Sequence, residues 1–341
     1  MLGGGSLHGS IFYDVISVKN LFSAWNEFKR GKRNKIEVQE FEFNLENNLF
    51  QLHEELKSGK WKPEGYTAFY VRDPKLRHIH KASVRDRVFN QALFRVLYQI
   101  FDKHFIHDSY SCRSGKGTHR GVLQLDSFIR SLSKNYTKPV FILKCDVRKF
   151  FDSISHEILL SLIRRHVSDC QLIHVIELII HSFCVLPGKG LPLGNVTSQL
   201  FANVYLNELD HFMKHVLKTR RYLRYCDDFV IVEREEEKLV AFIPAVDSFL
   251  RQKLGMNLHP NKIILRKATQ GIDFLGYVLM PHYKVLRTKT KKRIVRKIKI
   301  LREDVRLRKI EQKTLDITLQ SYLGMLEHCK GYTIRKKLLI L

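Results

Sequence analysis

Apolar residues recur at helical spacing through Val18, Leu21, Phe22 and Trp25, which predicts helix after the Gly-rich start Met1–Ser10. From Leu49 to about Lys138, helical stretches flank a short extended segment, Tyr66 to Ile79. Asp73-Pro74-Lys75 interrupts it, and Asp-Pro is turn chemistry, so a β-hairpin is expected. Pro139 to Asp146 is rich in Val, Ile and Phe and predicts a strand that ends on a carboxylate. Between Ser198 and Val216 the stripe Phe201, Val204, Tyr205, Leu209, Phe212, Met213 predicts a helix, with Thr197 or Ser198 placed to cap it. Tyr222 to Val232 forms two apolar segments around Cys226-Asp227-Asp228, the pattern of a second hairpin. Ile294, Ile298, Leu301 and Val305 mark a basic amphipathic helix, and one or two more follow from Leu315. No repeat of solenoid length interrupts this order.

Length and charge narrow the partners. The 341 residues, 44% of them apolar, can bury a core divided over two or three subdomains. A net charge of +25 favours polyanions, nucleic acid first and a membrane surface second. Neither a membrane-binding amphipathic helix at the N-terminus nor a lipidation motif is found, and no run reaches the roughly 18 apolar residues of a membrane span. From Pro281 to Leu341 there are 18 Lys/Arg and 5 Asp/Glu, so the last fifth of the chain is expected to touch phosphates; a Lys-rich face kept for solubility is the alternative. Six scattered cysteines without CxxC pairs, and a start unlike a signal peptide, point to the cytoplasm.

A carboxylate ending an apolar strand is costly unless its charge is compensated, and Asp227-Asp228 inside an apolar hairpin doubles the difficulty. A divalent metal is one compensation; a plain turn, which Asp favours, is the other. Two-metal phosphoryl transfer needs Mg²⁺ ions about 3.5–4 Å apart, bridged by carboxylates, which makes Asp146 and Asp227 the expected pair with Asp228 at the edge.

Asp146-Val-Arg-Lys-Phe-Phe151-Asp, Leu193-Gly194-Asn-Val-Thr-Ser-Gln199 and Tyr225-Cys-Asp-Asp228, in that order, resemble the motifs of reverse transcriptases. Arg77 to Arg87 and Tyr110 to His119 are similar to the two fingers motifs of group II intron and retron enzymes. Asn257 to Lys262 and Phe274-Leu275-Gly276-Tyr277 resemble later palm motifs, the second being the primer grip. The resemblance covers roughly residues 50 to 330. It implies an α/β (α+β) right-hand polymerase: an N-terminal helical extension (1–48), fingers (49–138), a ferredoxin-like palm (139–280) and a basic helical thumb (281–341).

One motif is unusual. Where most reverse transcriptases carry Gln-Gly-x-x-x-Ser-Pro, this chain has Leu193 and Gln199, which is similar to the enzymes of diversity-generating retroelements. Those copy a template-repeat RNA into cDNA substituted at template adenines. If Ser198 is the N-cap, Gln199 stands at the first helical position, where Pro is favoured but not required. Leu193 removes an amide from the nucleotide pocket, and apolar sites discriminate less well than hydrogen-bonded ones. Error-prone copying opposite adenine is the expectation, and a neutral swap the alternative. The 64 residues after Tyr277 suit a thumb but not a maturase or nuclease continuation, and the Val-Thr-Gly signature of retrons is missing.

The same resemblance suggests roles for single residues. Arg72 and Arg77 would clamp the triphosphate, Phe151 would exclude a ribose 2′-hydroxyl, and Lys262 would protonate departing pyrophosphate. Asp146, Val147, Asp227 and Asp228 would hold two Mg²⁺ ions, with Mn²⁺ as substitute. Leu193, Gly194 and Gln199 would line the nucleotide site. Tyr225, Phe274, Leu275 and Gly276 would meet the primer, and Lys291, Lys292, Arg293 and Lys297 the duplex backbone, without reading sequence. Implied partners are template RNA, the RNA/cDNA duplex, dNTPs and an oligomeric accessory protein. A nucleotidyl cyclase, a metal nuclease, a non-catalytic RNA-binding relative and a retron or phage-defence enzyme are the rivals; primer extension and genomic neighbours would separate them.

Overall fold

The computed structural model describes residues 10–72 and 76–340. The Gly-rich start (residues 1–9) and the predicted Asp73-Pro74-Lys75 turn lie outside them.

Five helices open the chain: α1 (Ile11–Ile16), α2 (Val18–Phe28), α3 (Ile36–Phe43), α4 (Leu45–Lys57) and, after a hairpin, α5 (Val84–Phe101). Leu21 and Trp25 of α2 are fully buried, and α1, α2 and α3 pack on α5. The expected border at residue 48 falls inside α4, and Leu49, Leu52 and Leu56 of that helix join the same core as α1 and α2. The N-terminal helices are therefore continuous with the body that follows.

Strands β1 (Tyr66–Arg72) and β2 (Leu76–Ala82) form the first hairpin, and β2 runs past the predicted end at Ile79. Then come α6 (Thr118–Leu132), β3 (Phe141–Asp146), α7 (Phe150–Ser153), α8 (His156–Arg164), α9 (Cys170–His181) and α10 (Val196–His211), the last extended by a π-helical turn, Phe212–Val216. The cap of α10 differs from the expectation. Asn195, extended at φ −91° and ψ 141°, is the N-cap, and Thr197 lies inside the helix with its Oγ1 donating to Asn90 Oδ1 at 3.0 Å. Gln199 consequently sits at the fourth helical position rather than the first, with its side chain exposed.

Strands β4 (Tyr222–Tyr225) and β5 (Asp228–Glu233), helix α11 (Glu236–Leu254) and β6 (Ile264–Lys267) complete a central antiparallel sheet of order β4-β5-β3-β6. With α10 and α11 as its crossovers, this is the ferredoxin-like arrangement. A three-stranded sheet, β7 (Ile272–Phe274), β8 (Tyr277–Met280) and β9 (Tyr283–Leu286), leads into α12 (Thr288–Arg306), α13 (Gln312–Glu327) and α14 (Tyr332–Ile340).

Strand alternation divides the core in two. Leu143, Cys145, Tyr222, Phe229 and Ile231 belong to the cluster that includes Tyr205 and Leu209 of α10 and Leu239 and Phe242 of α11. Ile142, Leu223, Val230 and Val232, on the other face, meet α6, the small sheet and the buried stripe Ile294, Ile298, Leu301 of α12. No helix among the described residues is long and apolar enough to cross a membrane.

Candidate active site

The register of the central sheet brings the predicted carboxylates together. Asp146, the last residue of β3, pairs directly with Asp228, the first of β5, and Tyr225 of β4 pairs with Asp228 on the other side. Directly paired residues share a face, so Asp146, Asp228, Tyr225 and Lys144 point to the side of Ile142 and Val230, at the end where that core stops. Cys226 and Asp227 form the two-residue turn between β4 and β5. Cys226 has φ +54°, a left-handed conformation that a non-glycine residue adopts at a cost of about 1 kcal/mol, so the turn is held there by its surroundings.

Each carboxylate has a distinct environment. Asp146 is 6% exposed and accepts a 2.6 Å hydrogen bond from Lys262 Nζ; its carbonyl accepts from the His259 amide at 2.8 Å. The segment around Lys262 is fixed there because Val147 bridges Leu258 and the Arg148 amide reaches the Asn257 carbonyl. Asp228 Oδ1 lies 3.7 Å from Lys144 Nζ, which also donates to the Asp273 carbonyl of β7. Burial, then the negative charges of Asp146 and Asp228, push the Asp227 carboxyl up to about 6.

Among the described residues no three His, Cys, Asp or Glu side chains close around a common point as a metal cage would. The carboxylate oxygens do not converge as expected; Lys262 pairs with Asp146 at 2.6 Å, and Lys144 lies 3.7 Å from Asp228. The donor set still suits a hard divalent cation. Three carboxylates meet at one end of the sheet, and Asp227 is pushed up by burial and then by the charges of Asp146 and Asp228.

The fingers hairpin carries the two predicted arginines, and its register separates them. Arg72 pairs with Leu76, and Tyr70 with His78, on one face; Arg77 pairs with Val71, and Phe69 with Ile79, on the other. Gly194 packs against β2: a Cβ there would stand 3.4 Å from Ile79 Cγ2 and 3.3 Å from the His80 carbonyl, and its φ of +125° suits only glycine. The His80 amide donates to the Leu193 carbonyl at 3.1 Å. Arg77 therefore shares its face with the Ile79 contact to Gly194, whereas Arg72 lies on the face of the stacked Tyr70 and His78 rings, 4.5 Å apart. Leu193 is half-buried and Gly194 exposed.

Phe150 is buried, while Phe151, its ring 5.3 Å away at 67°, is half-exposed. Phe274 is buried at the end of β7, and Leu275 and Gly276 form the β7–β8 turn with φ +50° and +89°. Lys144 stands 5.8 Å over the Phe274 ring, so this strand end adjoins the carboxylates. Tyr225 OH accepts from Thr118 Oγ1 at 3.4 Å. On α12, Lys292 and Lys297 are exposed and Lys291 and Arg293 half-buried.

Two polar groups at the site carried no sequence expectation. In the sequence Lys144 is one residue of a predicted strand. Arg224 is fully buried and donates to the Cys226 carbonyl at 3.0 Å, inside the turn that carries Asp227. Its only sequence signal is a lone charge between Leu223 and Tyr225.

The chain is similar in sequence and in fold to known proteins. The Protein YkfC of Escherichia coli (strain K12) is 24% identical over 269 residues, which cover 67% of this chain and 70% of that protein. The Group II intron-encoded protein LtrA of Lactococcus lactis subsp. cremoris is 20% identical over 303 residues, with 68% of this chain covered but only 49% of LtrA, so the chain spans about half of that relative. Among solved structures, apo telomerase from Candida tropicalis truncated from its C-terminal domain superposes with a TM-score of 0.51 at 14% identity, over 70% of this chain and 60% of that one. Telomerase from Candida albicans gives 0.50 at 14% identity, over 82% and 58%. These likenesses carry the right-hand polymerase fold. The sequence profile described as Reverse transcriptase (RNA-dependent DNA polymerase) matches residues 71–279, well over half of the chain, and the protein belongs to that family.

Proposed function

We propose that the protein extends a DNA primer along an RNA template, with Asp146, Asp227 and Asp228 as ligands of two Mg²⁺ ions and the Val147 backbone beside them. The observation that supports this most is the pairing of Asp146 with Asp228, with Asp227 in the adjoining turn pushed up to about 6 by burial and by the other two. Held by Asp146, Asp227 and Asp228, paired divalent cations would supply Lewis acidity for a 3′-hydroxyl and neutralise charge on departing pyrophosphate. The chain's own residues supply the rest. Arg77 holds the triphosphate from the fingers hairpin, Phe151 fills the space of a ribose 2′-hydroxyl, and Lys262 offers a proton to the leaving group. Tyr225 and the Phe274-Leu275-Gly276 turn meet the primer end. Gln199, one turn into α10, borders the nucleotide site with Leu193 and Gly194. The basic face of α12 holds duplex phosphates, so binding weakens steeply with salt.

Within the family, Leu193 and Gln199 support a diversity-generating retroelement enzyme that copies a template-repeat RNA with substitutions opposite adenine, aided by an oligomeric accessory protein in the cytoplasm. Similarity to a group II intron-encoded protein favours a second reading, a group II intron-like reverse transcriptase. Sequencing cDNA made by the purified chain on a defined RNA decides between them. Substitutions concentrated at template adenines support the first; equal error at all four bases rejects it. Absence of any Mg²⁺-dependent extension rejects both.

A further inference from the structure

Arg224 is enclosed on every side, at 0% exposure, in a strand otherwise made of Tyr and Leu. A buried guanidinium is tolerable only if its donors are satisfied, and here all three nitrogens are engaged. Nε donates to Asp210 Oδ1 at 2.7 Å and Nη2 to Asp210 Oδ2 at 2.6 Å, a two-pronged ion pair with both partners fully buried. Nη2 also reaches Ser109 Oγ at 3.3 Å. Nη1 divides between Asn203 Oδ1 at 3.2 Å and the Cys226 carbonyl at 3.0 Å. Tyr222 donates its hydroxyl to Asp210 Oδ1 at 2.7 Å. Burial would lower the guanidinium's pKa, but the Asp210 carboxylate outweighs it and keeps the group charged.

The arrangement joins three distant stretches. Asp210 and Asn203 lie on α10, Ser109 belongs to a segment bridged to β4 at Arg224, and Cys226 starts the turn that presents Asp227. That turn works against two opposing forces. Cys226 is in a left-handed conformation, and Asp227 is repelled by Asp146 and Asp228. The Nη1 hydrogen bond to Cys226 is a side-chain tie on the turn itself, and Arg224 points away from the carboxylate face toward α10, so it touches no reacting atom.

We infer that Arg224, locked by Asp210, is a positioning residue that holds the Cys226–Asp227 turn at its height and thereby sets the affinity of the three carboxylates for divalent cation. This rests on the polymerase reading above. In the full chain, Arg224→Lys keeps a cation opposite Asp210 but loses the arm that reaches Cys226. Calorimetric titration with Mg²⁺, with no nucleic acid present, is expected to show affinity weakened on the order of tenfold, the scale of one hydrogen bond from a charged donor. Primer extension should show the same shift in Mg²⁺ midpoint, with kcat recovered at high Mg²⁺ and KM for dNTP unchanged. A folded Arg224→Lys chain with wild-type Mg²⁺ affinity overturns the inference. Should that chain not fold, Asn203→Ala and Ser109→Ala, which leave the ion pair intact, are expected to weaken Mg²⁺ binding in the same direction by a smaller factor; wild-type affinity in both overturns it equally. A wild-type chain that binds Mg²⁺ but extends no primer sinks the polymerase reading and leaves the positioning role standing.

Discussion

Replacing Asp227 with Asn should stabilise the metal-free protein while abolishing polymerisation. The Asp227 carboxyl is pushed up from 3.8 to about 6, first by burial and then by Asp146 and Asp228. A shift of about two units corresponds to about 3 kcal/mol of penalty on the charged form in the folded state. Because the folded pKa lies above the unfolded one, the folded chain takes up the proton first. The native state thus gains stability as pH falls from about 6 toward 4, and carries the full penalty above pH 6. Asn, nearly isosteric and uncharged, removes that penalty. In EDTA at pH 7.5 the variant is expected to melt about 6 °C above wild type, taking roughly 2 °C per kcal/mol for a chain of this size. The gain should fall to a small fraction near pH 4 and vanish below about pH 3, where the carboxyl is protonated in both states. Adding Mg²⁺ should raise the melting temperature of wild type and leave the variant almost unmoved. Differential scanning calorimetry at pH 4, 5 and 7.5 reads all of this. A variant that melts at or below wild type in EDTA at pH 7.5, or gains equally at pH 4, would refute the claim that the three carboxylates repel one another at one site.

Other residues make separable predictions. Arg77→Ala should raise KM for dNTP on the order of tenfold or more, while Arg72→Ala, on the opposite face of the hairpin, should change it less than about threefold in steady-state primer extension; equal effects would contradict the register argument. Phe151→Ala should lower the preference for dNTP over rNTP by on the order of tenfold, read from competing incorporation, with a stability loss of about 1–2 kcal/mol because the ring is half-exposed. Unchanged preference would remove it as the gate. Lys262→Ala should reduce kcat by about a hundredfold and flatten the alkaline side of the pH–rate profile. Its effect on folding should stay under about 1 kcal/mol, since the ion pair with Asp146 is open to solvent on the lysine side. A profile identical in shape to wild type would deny it the role of acid.

What the sequence made legible is what local chemistry decides. The run from Pro139 to Asp146 and the two halves of Tyr222–Val232 are short apolar stretches rich in β-formers and bounded by turn residues, which makes β3, β4 and β5 legible as strands. The cap of α10 could not. Asn195, Thr197 and Ser198 are all competent caps, and the choice was made by Asn90, which engages Thr197 from α5, more than a hundred residues earlier. The two hairpin arginines show the same limit. Arg72 and Arg77 are five residues apart across a turn, and whether they share a face depends on the loop length, which fixes register. Pairing Arg72 with Leu76 sends them to opposite sides.

Arg224 marks the deeper boundary of sequence reasoning. On its own strand, alternation puts it on the face of Tyr222 and Phe229, which is the apolar side packed on α10. A charged residue on a buried face is a contradiction that only a partner resolves, and the partner, Asp210, stands on a helix whose stripe otherwise satisfies apolar periodicity. Neither residue signals the other, since fourteen positions and a change of element separate them. Yet each one alone breaks the pattern of its own element, and two such breaks on elements that must pack together imply a buried ion pair. The same reasoning locates Lys144, the one cation on the β3 face that ends in Asp146 and faces Asp228. Pattern violations inside well-predicted elements, more than the motifs themselves, thus point to the groups that hold the carboxylates in place.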